Sequence, residues 1–204
     1  MTAPGAISSL QNPAVKRLRR LRDAKGRREE GCFLIEGTRL ARSAVEAGWP
    51  VREAWVREDR MDLVPESLQD RVVVVTPAVL EAVSTLEQPE GLVLVADLPH
   101  LQGLPSVSPR SLWVALDGIQ DPGNVGTLIR TADAAGAGAV LLGPGTADPF
   151  QPKAVRASMG SVLHVPLVRV PDWEPALQAS RQEGMRWIAT TLEDAESLWE
   201  SDLA

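Results

Sequence analysis

The chain has 204 residues, enough for one large domain or two modest ones, and its single cysteine, Cys32, excludes an intrachain disulfide. No apolar run approaches a membrane span, the N-terminus MTAPGAISSL has neither a charged n-region nor a long apolar stretch, and a Cys/His metal site is not expected with only His100 and His164 available; a cytoplasmic protein without metal or membrane is the expectation. The net charge of −6 divides unevenly, with 13 Lys/Arg against 8 Asp/Glu in residues 1–60 and 8 against 19 in the remainder, so the total argues against a polyanion partner while the first part argues for one.

In chain order, Asn12-Pro13 opens a helix with Val15, Leu18 and Leu21 as a narrow apolar seam. Its other faces belong to KRLRRLRDAKGRR, Lys16 to Arg28, with eight bases and one acid. Two readings stand: a phosphate-binding segment, or a solvated helix face. Cys32 lies in the apolar run Cys32-Phe33-Leu34-Ile35 and is expected in the core. Phe33–Glu36 reads as a strand, Thr38–Ala47 as a helix closed by Gly48, and Val51–Val56 as a strand. Val72–Val75 reads as a buried strand, Pro77–Val83 as a helix and Gly91–Ala96 as a strand, together a small α/β layer domain. LPHLQGLPSVSPR, with three prolines, is a linker.

Beyond the linker the alternation is cleaner: strand Ser111–Leu116, helix Val125–Ala135, strand Ala139–Leu142, helix Pro152–Met159, strand Val162–Val165, helix Pro175–Gln182 and strand Arg186–Thr190. Apolar strands alternating with helices predict a parallel sheet covered on both faces, with ligands beyond the carboxyl ends of its strands. Three loops lie there. The first, Asp117-Gly118-Ile119-Gln120-Asp121-Pro122-Gly123-Asn124-Val125-Gly126, precedes a helix whose buried stripe is Val125, Leu128, Ile129, Ala132 and Ala135. Asn124 has a structural role available as the helix N-cap. Arg130 lies off the stripe, either to hold a phosphate or to make a surface salt bridge. The second loop, GPGTADP from Gly143, leads to Lys153 and Arg156, three apart on one helix face and suited to a ribose-phosphate backbone or to plain solvation. Its glycine spacing does not match G-x-G-x-x-G, which disfavours a nucleotide-cofactor oxidoreductase. The third loop is Thr190-Thr191-Leu192.

DPGNVGTLIRTADAAGAGAV resembles the first motif, and LLGPGTADPFQPKAVRASMGSVLHVPL the second, of the SpoU/TrmH RNA 2′-O-ribose methyltransferases. NPAVKRLRRL, KGRREEGCFLIEGTRL and QPEGLVLVA resemble the extra N-terminal domain that some members carry. The resemblance implies an L7Ae/L30e-like RNA-binding domain over residues 1–98, a linker over 99–110 and a SPOUT methyltransferase domain over 111–204, with a trefoil knot, a homodimer and S-adenosylmethionine as cofactor. It implies Arg130 as the central catalytic residue, Asn124 as its helper, and Thr190, Thr191 and Leu192 as part of the cofactor wall. Lys16, Arg19, Arg20, Arg27, Arg28, Lys153 and Arg156 are the candidate RNA-binding residues, ribosomal RNA being preferred to transfer RNA. The family's third motif, an Ile-Pro pair followed by a Ser-Leu-Asn run, has no counterpart before Ala204. The expectation is therefore a truncated chain with weak cofactor binding, and the alternative function is an RNA-binding module without catalysis.

Overall fold

The computed structural model describes residues 5–101, 103–108, 111–191, 197 and 200. Its first part holds α1 (Pro13–Arg20), α2 (Ala24–Glu30), β1 (Cys32–Glu36), α3 (Thr38–Glu46), β2 (Val51–Arg57), β3 (Val72–Val75), α4 (Pro77–Val83) and β4 (Leu92–Asp97). The sheet runs β1-β4-β2-β3, with β4 antiparallel to both neighbours and β2 parallel to β3. The second part holds β5 (Trp113–Leu116), α5 (Pro122–Ala134), β6 (Ala139–Leu142), α6 (Pro152–Ala157), β7 (Leu167–Arg169) and α7 (Trp173–Gln182). Its sheet, β5-β6-β7, is parallel throughout.

Alternation along the strands sorts the side chains into layers, because successive residues point to opposite faces. On β1, Cys32 and Leu34 join Val15, Leu18, Leu21, Val79 and Leu80 under α1 and α4. Phe33 and Ile35 point the other way, into a cluster that continues through Leu40 of α3 and Phe150 to Val125, Ile129, Val140 and Leu142 of the second sheet. Ala139 and Leu141, on the far face of β6, pack with Val168, Val170 and Ala176 beneath α7. The two sheets thus share one apolar layer. Phe33 meets Phe150 at 5.0 Å between ring centroids and Trp49 at 6.1 Å, edge to face.

Four sequence expectations change. The basic stretch forms two short helices, α1 and α2, rather than one. Residues 162–165 form no strand: Ser161–Leu163 is a 3-10 turn, and the strand follows at Leu167–Arg169. Met159 (φ 53°) and Gly160 (φ 103°) reverse the chain there, His164 and Val165 bond back to Ser161, and the Pro166 carbonyl then accepts the Val140 amide at the head of the β6–β7 ladder. Val162, Leu163 and Val165 are buried all the same, so their apolar run signalled burial and not strand. Residues 186–190 also form no strand. Trp187 turns back to donate to Ser180 Oγ while Ile188 is 55% exposed, and a strand needs a neighbour to take its peptide groups. β3, expected to be buried, is half-buried over Val72–Val74 because it is the sheet edge.

α5 and α6 approach each other through Gly126. A Cβ there would lie 2.4 Å from the Ala154 carbonyl oxygen and 2.7 Å from the Ala157 Cβ. Gly126→Ala gains about 1 kcal/mol of helix propensity but forces the helices apart at an overpacking cost of about 1–3 kcal/mol. Thermal denaturation should show a lower Tm, while Gly138→Ala, with no contact closer than 3.8 Å, should leave it unchanged. An equal or raised Tm for Gly126→Ala would show that the pair of helices has room to give.

Candidate functional site

The first carboxyl-end loop is fastened before it reaches α5. Gly118 N donates to Pro144 O at 3.1 Å, Ala147 N to Ile119 O at 2.9 Å, and Thr146 Oγ1 to Leu116 O at 2.7 Å, so the first and second loops form one platform. The N-cap of α5 is Asp121, not Asn124: Asp121 Oδ1 accepts the Asn124 amide at 2.9 Å. Proline at the first helical position, preceded by aspartate, is the sequence signal for this start. Asn124 therefore sits inside the first turn, and its side chain is exposed, with no hydrogen bond among the described residues.

Val125, Gly126, Ile129 and Ala132 are the buried face of α5; Leu128 is half-buried, and Ala135, expected on that face, is exposed at the C-cap. Arg130 is exposed and has no ion pair or hydrogen bond among the described residues. The salt-bridge reading of Arg130 thus loses its partner. Asn124, Thr127 and Arg130, each three residues from the last, climb the outer side of the helix in steps of about 4.5 Å. Thr127 Oγ1 is turned inward onto Gly123 O, which leaves the amide of Asn124 and the guanidinium of Arg130 as the polar groups directed outward.

The other candidate cations divide by what they touch. Lys16, Arg19 and Arg28 are exposed and unpaired among the described residues. Arg20 is exposed but engaged by Glu29 and Glu30. Arg27 leaves the RNA-binding set: it is 2% exposed, its Nε and Nη2 donate to Asp148 at 3.0 and 2.6 Å, and its Nη1 donates to the carbonyls of Leu21 and Arg22. Removing one partner of such a pair costs about 3–5 kcal/mol. Arg156 also leaves it, since Nη1 donates to Thr85 Oγ1 at 2.6 Å and stands 3.6 Å from the buried Glu36 carboxylate. Lys153 donates to Asp121 Oδ2 at 2.6 Å yet keeps 59% of its side chain exposed. Sequence reasoning did not reach Asp148 or Glu36; no local pattern marks a carboxylate whose partner lies on a distant element.

Thr190 and Thr191 are exposed on the segment after α7, which belongs to no helix or strand, and Leu192 lies outside the described residues. A cavity of about 360 Å³ opens elsewhere, between the linker and the 3-10 turn, lined by Trp49, Phe150, His100 and His164 among others; neither threonine borders it. Among the described residues no helix is long and apolar enough to cross a membrane, and no three His, Cys, Asp or Glu side chains are grouped to hold a metal ion.

Comparison with known proteins matches residues 111–204 to the SpoU rRNA Methylase family and residues 12–94 to the MRM3-like substrate binding domain. The 23S rRNA (guanosine(2553)-2′-O)-methyltransferase RlmP of Bacillus subtilis is 34% identical over 192 residues, 92% of this chain and 74% of the relative. An uncharacterized tRNA/rRNA methyltransferase of Synechocystis is 34% identical over 208 residues, 97% of this chain and 74% of the relative. Among solved structures, an RNA 2′-O ribose methyltransferase superposes with a TM-score of 0.78 at 32% identity, covering 96% of this chain and 77% of the other. The SpoU methyltransferase AviRb from Streptomyces viridochromogenes, in complex with AdoMet, gives 0.74 at 31% identity, covering 85% and 70%.

The Lys153 ammonium, with the Asn124 amide, holds the Asp121 carboxyl below its usual range. A depressed carboxylate stabilises the fold above its unfolded value of about 3.9 and loses that contribution as pH falls through the lower folded value. The pair is exposed, so the effect on stability is small. A carboxyl titration followed by NMR should therefore show the Asp121 midpoint rising in Lys153→Met. An unmoved midpoint would mean that the backbone amides alone set it.

Proposed function

We propose a function from one premise: the chain belongs to the SpoU rRNA methylase family. It transfers the methyl group of S-adenosylmethionine to a ribose 2′-hydroxyl of ribosomal RNA. The observation that carries the assignment to particular residues is Arg130, an exposed guanidinium on the outer face of α5 with no partner among the described residues. A long cationic side chain left unpaired among the described residues, on the helix that leads out of two loops fastened to each other, is poised for an anion from outside, and RNA supplies a phosphate beside every ribose.

In the reaction the ribose 2′-oxygen gains the methyl group and loses its proton. The cofactor, when bound, supplies an electrophilic methyl on a sulfonium centre that is already a good leaving group. The protein must orient the hydroxyl and stabilise the negative charge that develops on its oxygen. A guanidinium is a poor proton acceptor, so Arg130 is assigned no general-base role. Its role is to grip the phosphate next to the target ribose and to hold positive charge near the oxygen, while the proton passes to a phosphate oxygen or to water. Asn124, a turn and a half earlier on the helix, offers an amide that both donates and accepts and so can fix the ribose or the Arg130 side chain. The backbone of Thr190 and Thr191 is the part of the described chain assigned to the cofactor. Because Asn124 and Arg130 face outward, this chain alone gives a one-sided site, and a homodimer whose second copy supplies the opposite wall belongs to the same proposal, as does a cytoplasmic setting among ribosomal RNA. Lys16, Arg19 and Arg28 form the electrostatic grip on more distant phosphates.

Arg130→Ala should lower methyl transfer to ribosomal RNA by at least about a hundredfold and leave the circular dichroism spectrum intact. Turnover near that of the wild type would remove Arg130 from the chemistry. Separately, replacing Lys16, Arg19 and Arg28 together with glutamine should weaken RNA binding. It should also reduce the slope of log affinity against log salt by about 2–3, one counterion for each lost contact. A slope equal to the wild type would return these three residues to plain solvation.

A further inference from the structure

Two ion-paired clasps cross the seam between the parts of the chain, and they cross in opposite directions. At the start of β1, Arg27 of α2 reaches Asp148 in the second loop. At the end of β1, Arg156 of α6 reaches Thr85 Oγ1 and approaches Glu36. Glu36 is itself fully engaged, accepting from Ser84 Oγ at 2.6 Å, Thr85 N at 2.9 Å and Thr85 Oγ1 at 2.7 Å. Cys32 and Glu36, the ends of β1, stand about 13 Å apart at the rise of an extended strand. One clasp would leave a pivot. Two, one from α2 ahead of β1 and one at its last residue, together with Phe33 against Phe150 and Ser43 beside Gly160, fix the orientation of one part on the other. One superposition that covers nearly the whole chain carries both sheets onto a related enzyme, as a fixed seam requires.

The clasped elements are also those that hold the proposed RNA contacts. Arg27 adjoins Arg28 on α2. Asp148 precedes α6 and Arg156 lies on it, and α6 grips the α5 cap through Lys153 and meets α5 at Gly126. We propose that Arg27, Asp148, Glu36, Thr85 and Arg156 are positioning residues for RNA: they fix the span between the exposed cations of α1 and α2 and the guanidinium of Arg130, so that one folded RNA engages both at once. This rests on the reading that those cations and Arg130 bind RNA. Two weak contacts on a rigid frame act as one strong contact when the ligand spans both, and the gain is lost once the frame swivels.

The test compares two RNA probes on the full chain by fluorescence anisotropy. One is a ribosomal RNA hairpin long enough to reach both places, and the other a short single-stranded oligonucleotide that reaches one. Thr85→Val removes the Arg156 acceptor without changing any charge, and Arg156→Met removes the donor. Both sites are only partly buried, and unchanged circular dichroism verifies folding. Each variant should lose about tenfold in affinity for the hairpin and stay within about twofold of wild type for the oligonucleotide. Arg156→Lys, which can still donate to Thr85, should recover much of the loss. Unchanged hairpin affinity in both Thr85→Val and Arg156→Met overturns the positioning role while leaving the methyltransferase reading in place. Loss of both probes in Arg156→Met with none in Thr85→Val makes Arg156 a direct RNA contact and also overturns it. Failure of the wild-type chain to bind either RNA removes the premise as well.

Discussion

The middle apolar layer is the constraint on which the rest of the structure depends. Phe33 and Ile35 project from β1 on the face opposite to Cys32 and Leu34, so one strand serves two cores at once. β1 lies at the edge of its sheet, where open peptide groups invite unwanted pairing. α6 and Phe150 lie across that edge and its apolar face, covering with one element what would otherwise need a separate lid. A shift of α6 would expose Phe33, loosen Gly126 against Ala154 and carry the α5 cap with it. The position of Arg130 is therefore tied to packing that lies on the opposite side of its own helix.

The basic segment shows how a single run of like charge is divided by the fold. Arg17 donates through Nη2 to both carboxylate oxygens of Glu53, whose other work is to accept the Trp55 indole N–H. Arg22 donates to the carbonyls of Ala82 and Ser84, joining α1 to the end of α4. Arg27 crosses the seam, and Lys16, Arg19 and Arg28 remain for solvent or ligand. An interior that must neutralise backbone carbonyls and a distant carboxylate thus takes its cations from the same stretch that presents charge outside. Arginine suits the buried tasks because its planar fork meets several acceptors together.

Local pattern made much of this legible. Pro13 and Pro77 mark helix starts, the alternating strands separate inner from outer faces, and Arg130 stands clear of the Val125–Ile129–Ala132 stripe in sequence as it does in space, although the helix that carries it starts at Pro122, three residues before the expected Val125. What was not legible is set by contacts between distant residues. Arg27 and Arg28 are equivalent neighbours in the sequence; only the arrival of Asp148, 121 residues on, distinguishes the buried one from the free one. Arg156 shares a helix face with Lys153 by spacing, yet it is drawn to Glu36 and Thr85 while Lys153 turns to Asp121. The run from Val162 to Val165 has the apolarity of a strand, but the left-handed pair at Met159 and Gly160 spends those residues on a reversal and postpones the strand beyond Pro166.

The double duty of β1 has a consequence for how the protein is made. A ribosome releases the chain from its N-terminus at about 5–20 residues per second, so the first sheet emerges while Asp148, Phe150 and α6 are still unsynthesised. With 121 residues separating the members of the Arg27–Asp148 pair, the nascent sheet must wait on the order of ten seconds with Phe33, Ile35 and the edge of β1 uncovered and one guanidinium lacking its carboxylate. Any first sheet that forms in that interval has an open flank, because the cluster that covers Phe33 and Ile35 includes Phe150 and residues of the second sheet. A chaperone that shields flat apolar surface would find its substrate here, along one edge of a growing chain.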